Sequence, residues 1–334
     1  MSPTIKDVAK HAGVAVSTVS LVVNNKANVA NSTRKKIQHA IEDLKYHPRR
    51  SARGLVMRKS GNIGFILTDD HFSVAEPFYT KIFLGTEFEA RKYDYYILLT
   101  TLERRNTKNS VPRFLLERNV DGVIFAGSVP TKIIDYVKNT SLPFIFVDYL
   151  PNNGRYSSIL IDNINGAFQA TDHLIKSGHK RIVFIGGGMD HPSLKHRYEG
   201  YKNALAAAQI PISEELVYCN EAYPGILEGY KTAQNLIKDG SEFTALFAAN
   251  DALALGAVRC FREHRLRIPE DVAIIGFDDV AIANTAHPTL TTMHVPKEEM
   301  GAIALRRIVE MIDKKDISVS KTVVPVKLVL RESH

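Results

Sequence analysis

The chain is predicted to be an α/β protein, with a small all-helical head followed by a body of parallel sheets. Three observations carry that prediction. From residue 61, short apolar runs alternate with helical stretches, as in parallel strands joined by crossover helices. The first 45 residues show helical spacing only. The whole of the positive excess, 43 Lys and Arg against 36 Asp and Glu, lies within residues 1–60. A basic head on a near-neutral body points to a polyanion-binding module joined to a second unit.

The head divides into three helices. Thr4-Ile5-Lys6-Asp7 reads as a capping box, after which Ile5, Val8, Ala9 and Ala12 recur at helical spacing. Gly13 stops that helix and permits a tight turn. A second run sets Val16, Val19 and Val23 on one face, and a third, opened by Asn31 or Ser32, repeats Ile37, Ala40, Ile41 and Leu44. Two helices joined by about four residues, with a third across them, make a helix-turn-helix. In a major groove, Ser17 and Thr18 of the second helix would hydrogen-bond base edges, while Val16 and Leu21 would touch thymine methyls. Lys26, Arg34, Lys35 and Tyr46 are the candidate phosphate contacts, and Thr4 and Asn24 complete the DNA-facing set. A three-helix fold without a DNA role fits the spacing alone, but small polar residues flanked by cations favour the groove reading.

These residues carry a family likeness. Thr4 to Val14, Ser17-Thr18-Val19-Ser20, Asn24-Asn25-Lys26, Thr33-Arg34-Lys35-Lys36-Ile37 and Tyr46-His47-Pro48 closely resemble the DNA-binding head of the lactose-repressor (LacI/GalR) family. The resemblance extends over nearly the whole chain. It implies a head at 1–47, a hinge at 48–60, and a body at 61–334 with two lobes like a periplasmic binding protein. The first lobe is expected at about 61–161 and 295–320, the second at about 162–290 and 321–332. It further implies that Leu55, in Ala52-Arg53-Gly54-Leu55, wedges into the central minor-groove step with Arg53 beside it. Two departures stand out: Ala15 replaces the usual capping Ser, and Leu21 replaces a commonly polar residue, so operator sequence does not carry over.

In the body, strand-like runs fall at 63–67, 95–100, 122–126, 144–147, 158–161, 181–185, 216–219, 245–249, 272–277, 289–295 and 323–330. Helical stretches near 78–92, 109–118, 131–138 and 297–313 are among those separating them. Ligands of doubly wound sheets bind beyond the carboxyl ends of the strands, where Asp69, Asp148, Asn250 and Asp278 gather and Arg197 opens a helix. Carboxylates, an amide and a guanidinium with aromatic neighbours suit a polyhydroxylated ligand. The resemblance implies effector contacts at Asp148, Arg197, Asn250 and Asp278, with His191 and Tyr223 near them. The loop 68–78, longer than usual for the family, adds Phe72 and Phe78 as stacking candidates.

The expected function is a sequence-specific transcriptional regulator, a repressor acting as a homodimer on a pseudo-palindromic double-stranded operator. A small-molecule effector, a sugar first and a purine co-repressor second, would control it. A sugar-metabolising enzyme or standalone binding protein is the rival class. Gly186-Gly187-Gly188 completes no phosphate-loop motif, and neither G-x-S-x-G nor H-E-x-x-H occurs. No cofactor or metal is expected. The two cysteines have no metal-like or disulfide spacing, no apolar stretch reaches about 20 residues, and the start lacks a signal-peptide core. A cytoplasmic protein with no membrane partner is therefore expected.

Overall fold

The computed structural model describes residues 3–23, 29–46, 59–69, 77–103, 111–151, 155–189, 191–219, 225–314 and 318–334. In the head, α1 (Ile5–Ala12), α2 (Val16–Val23) and α3 (Asn31–Asp43) form as the spacing predicts. The Asp7 carboxylate accepts from the Thr4 backbone N–H at 2.8 Å and the Thr4 hydroxyl at 2.7 Å. Those bonds hold the Asp7 carboxyl below its ordinary range. Gly13, at φ +66°, closes α1 in the left-handed conformation that glycine adopts without steric cost. At Ala15 only the carbonyl starts α2, accepting from the Thr18 and Val19 amides.

Val8, Val19, Val22, Ile37, Ala40 and Tyr46 make the head's core. The buried face of α2 is thus Val19 and Val22, whereas Val16, expected on that face, is 41% exposed. Because α2 packs against both α1 and α3, its apolar stripe turns past Val16.

The body holds two six-stranded sheets. The first comprises β1 (Asn62–Thr68), β2 (Tyr96–Leu102), β3 (Gly122–Ala126), β4 (Phe144–Val147), β5 (Ser158–Ile161) and β11 (Lys321–Val324), in the order β11-β5-β4-β3-β1-β2. All its pairings are parallel. The second comprises β6 (Ile182–Gly186), β7 (Val217–Cys219), β8 (Ala245–Ala248), β9 (Ala273–Asp278), β10 (Thr291–His294) and β12 (Lys327–Val329), in the order β12-β10-β9-β8-β6-β7. Only β12 runs antiparallel, against β10. Central strands such as β3, β6 and β8 are buried throughout, as parallel strands covered on both faces must be.

Helices α4 (Phe78–Lys92), a single turn α5 (Arg113–Leu116), α6 (Thr131–Lys138) and α11 (Lys297–Lys314) serve the first lobe. Helices α7 (Asn163–Lys176), α8 (Pro192–Ala207), α9 (Ile226–Lys238) and α10 (Asp251–Glu263) serve the second. The helix expected over 109–118 is described only as that one turn. The chain crosses between lobes after β5, after β10 and after β11.

Two boundary expectations need correction. The single strand expected over 323–330 is two strands in different sheets: β11 pairs with β5, so residues 321–324 belong to the first lobe, not the second. β10, at 291–294, extends the second lobe past residue 290. The apolar run hid the break because Val326, at the crossing, is itself an apolar residue packed on the core. Among the described residues, no helix is long and apolar enough to cross a membrane.

Candidate functional site

The candidate sites lie on two surfaces, the head's α2 and the cleft between the lobes. On α2, Ser17 and Val16 are exposed while Thr18 and Leu21 are half-buried, and Arg34 is half-buried on α3. Thr4 is exposed but bonded to Asp7. Tyr46, expected at a phosphate, is 8% exposed, with its ring packed into the head's core. Asn24, Lys26, Arg53 and Leu55 lie outside the described residues, as do Phe72 and Tyr223 of the cleft set.

In the cleft, the second lobe builds its wall around Arg197, buried to 3% exposure on α8. Its Nε donates to Asn163 Oδ1 at 2.8 Å and its Nη1 to the Ala249 carbonyl at 2.6 Å. Nη2 sits 3.0 Å from Asp278 Oδ1, and the guanidinium lies 3.7 Å from the Phe277 ring centroid. A planar, five-donor cation is suited to hold amide, carbonyl, carboxylate and ring at once. Burial pushes the Asp278 carboxyl up against the pull of Arg197 and Lys297, and the Asp148 charge across the cleft pushes the same way.

Behind this pair lies Asp251, which is 1% exposed. Its carboxyl meets the Val280 amide at 2.9 Å and the Thr292 hydroxyl at 2.5 Å. Burial first, then the neighbouring Asp278 charge, pushes its pKa up to about 8. Asn250 caps α10, accepting from the Leu253 amide at 2.9 Å. His191 caps α8, with Nδ1 accepting from the Ser193 amide at 3.3 Å. These two therefore have structural duties at the mouth of the cleft.

The first lobe contributes Asp148, at the carboxyl end of β4 with φ +57°. Its carboxylate accepts from the Tyr79 hydroxyl at 2.8 Å and, across the lobes, from Ser193 Oγ at 2.9 Å. Phe78 opens α4 with its ring edge-on to Tyr79 at 5.0 Å. Together, Phe78 from the first lobe and Ile226, Asn250, Asp251, Asp278 and Ile282 from the second line one small cavity. Asp69 is exposed just past β1 and is not among that cavity's lining residues.

Sequence reasoning misses Tyr79, Ser193 and Lys297 as cleft residues. Lys297 had a readable signal, since a lysine in the first turn of a helix opposes the helix dipole. Among the described residues no group of His, Cys, Asp and Glu is placed to hold a metal ion.

Comparison with known proteins follows the same division. Residues 4–49 match the family described as bacterial regulatory proteins, lacI family, and residues 171–334 match a periplasmic binding protein-like domain. The chain is 34% identical over its full length to the HTH-type transcriptional regulator RegA of Clostridium saccharobutylicum, covering 99% of that protein. It is also 34% identical to the HTH-type transcriptional repressor PurR of Pasteurella multocida (strain Pm70), covering 99% of this chain and 98% of the relative. Among solved structures, a complex of the transcriptional regulator CelR with cellobiose is 30% identical, covering 99% of this chain and 100% of that one, with a TM-score of 0.73. The Lac repressor dimer bound to operator and the anti-inducer ONPF is 26% identical, covering 100% and 99%, with a TM-score of 0.84. With a helix-turn-helix head, a two-lobed body and relatives matched end to end, the chain belongs to the lacI family of bacterial regulatory proteins, and is a DNA-binding transcriptional regulator rather than an enzyme.

Proposed function

We propose that this regulator is a cytoplasmic, homodimeric repressor whose hold on a pseudo-palindromic operator is controlled by a carbohydrate bound between the lobes. The observation that carries the effector reading is a cavity lined by Asp278 and Asn250 of the second lobe and Phe78 of the first, with Arg197 paired to Asp278 and Asp148 bonded to Ser193 across the lobes. A carboxylate accepts from hydroxyls and a guanidinium donates to them, while an aromatic ring covers an apolar sugar face. The similar CelR structure holds cellobiose. On the head, Val16, Ser17, Thr18 and Leu21 read bases, and Arg34 and Lys26 contact phosphate. Leu55 wedges the operator's centre with Arg53 beside it. Two-fold protein symmetry matches two half-sites. Effector binding changes the angle between the lobes and so the spacing of the two hinges. Coupling is reciprocal, so operator shifts effector affinity by the same factor.

A thermal-shift screen of the full-length protein tests the effector class. The panel contains cellobiose, glucose, ribose, sugar acids, sugar phosphates, hypoxanthine and guanine. One carbohydrate is expected to raise the melting temperature, since a ligand at about 100 times its dissociation constant stabilises by roughly 2.7 kcal/mol. A shift by a purine alone replaces the sugar with a purine co-repressor.

A further inference from the structure

A lysine in the first turn of a helix sits beside the partial positive charge of unbonded amides, and burying its ammonium adds a desolvation cost. Lys297, the first residue of α11, carries both disadvantages, at 5% exposure. Its ammonium is satisfied by backbone carbonyls: those of Asp278, of Val295 at 3.1 Å and of Asp279 at 3.3 Å. Two of the three belong to the other lobe.

The backbone it grips is strained. Asp278 and Asp279 are successive non-glycine residues at φ +111° and +53°, a conformation that persists only when its surroundings over-determine it. The second lobe supplies several restraints. Asp251 accepts from the Val280 amide, Thr292 Oγ1 accepts from the Asp279 amide at 3.3 Å, and Arg331 and His294 hold the Asp279 carboxylate at 2.6 and 2.8 Å. Lys297 adds a restraint from the first lobe's helix. Its neighbour Glu298 pairs with Lys81 of α4 at 3.0 Å, and a Cβ on Gly85 of α4 would fall onto the Glu298 carbonyl. α4 also carries Phe78, whose ring centroid lies 6.0 Å from the Lys297 ammonium, and Tyr79, which holds Asp148.

We propose that Lys297 is a positioning residue: from the first lobe it fixes the Asp278–Asp279 turn, joining the two walls of the cleft through α11 and α4. The consequence for signalling rests on Asp278 being an effector ligand, as proposed above. The joint itself requires no ligand.

Hydrogen exchange on the full-length, ligand-free protein tests it. Lys297→Met removes the charge and keeps the stem. It is expected to speed exchange at the Asp279 and Val280 amides, and at the first turn of α4, at least tenfold over wild type. The β8 amides should stay unchanged. Lys297→Arg, which keeps a cation, is expected to restore most of that protection. If Lys297→Met does not fold, the neutral donor Lys297→Gln is read in the same way against Lys297→Arg. Acceleration confined to the first turn of α11, or equal in the Met (or Gln) and Arg variants, overturns the proposal. Because no ligand is added, this outcome is separate from the effector reading, which the Asp278→Ala titration described in the Discussion tests.

Discussion

The two walls of the cleft are built on different principles. On the second-lobe wall, Arg197, Asn163 and Asp278 are locked to one another, and Asp251 ties Thr292 to the Val280 amide behind them. The first-lobe wall is the Asp148 carboxylate with its Tyr79 donor, plus the half-buried Phe78, and Ser193 of the second lobe reaches Asp148 from the other side. One wall is pre-organised, and pre-organisation reduces the ordering cost of binding. The other has fewer mutual restraints. The contrast teaches that the second wall is held by its own hydrogen bonds and ion pair, so under the proposed function it would supply the fixed part of a ligand site, and the first wall the part free to vary.

The largest expected effect breaks the rigid wall. Arg197→Ala leaves the buried Asp278 without its cation and Asn163 without its donor, and should destabilise the body by about 3–5 kcal/mol. Chemical denaturation measures this. A loss below about 1 kcal/mol would mean that the wall is not interlocked. Asp251→Asn sharpens the same point through pH. The unfolded carboxyl ionises near 3.8, whereas the folded one keeps its proton to about 8. The folded state therefore binds more protons in that window, and wild-type stability should fall relative to Asp251→Asn as pH rises from about 4 to 8, levelling off above. Melting curves at several pH values that run parallel would refute the neutral acid.

Smaller effects belong to the first wall. Tyr79→Phe and Ser193→Ala each remove one hydroxyl donor from Asp148 and should cost about 1 kcal/mol apiece. Since they share one acceptor, the double variant should not be additive, which a double-mutant cycle reads directly. Phe78→Ala should change stability least and ligand preference most. Ligand screens of that variant identical to wild type would remove Phe78 from recognition.

The same contrast explains what was legible in the sequence. The head's helices follow from local signals: a capping box at Thr4, a stop at Gly13 and helical spacing through Leu44. The body's alternation likewise marks nearly every strand. The split of residues 321–329 between two sheets was not legible, because sheet membership is decided by pairing partners far away in the chain. In the cleft, Arg197, Asn250 and Asp278 stand in family order, Asn250 and Asp278 at strand ends and Arg197 inside α8, and the structure brings Asn250 and Asp278 into one cavity with Phe78. Tyr79, Ser193 and Lys297 acquire their roles by contacts of long sequence separation, across the lobes for Ser193 and Lys297, and only the position of Lys297 in a helix's first turn left a local signal. Tyr46, read from the sequence as a phosphate contact, also turns out to pack its ring into the head's core, which the spacing of neighbouring cations did not reveal.

The central claim is that the cleft governs the head. Operator affinity of the wild-type protein and of Asp278→Ala, titrated with the ligand that stabilises the wild type, tests it most directly. Both proteins should bind the ligand-free operator alike, and the ligand should change wild-type affinity at least tenfold, about 1.4 kcal/mol of coupling, within the range for such switches. Asp278→Ala should not respond. An Asp278→Ala protein that responds to the ligand as the wild type does would place control of the operator outside this cleft.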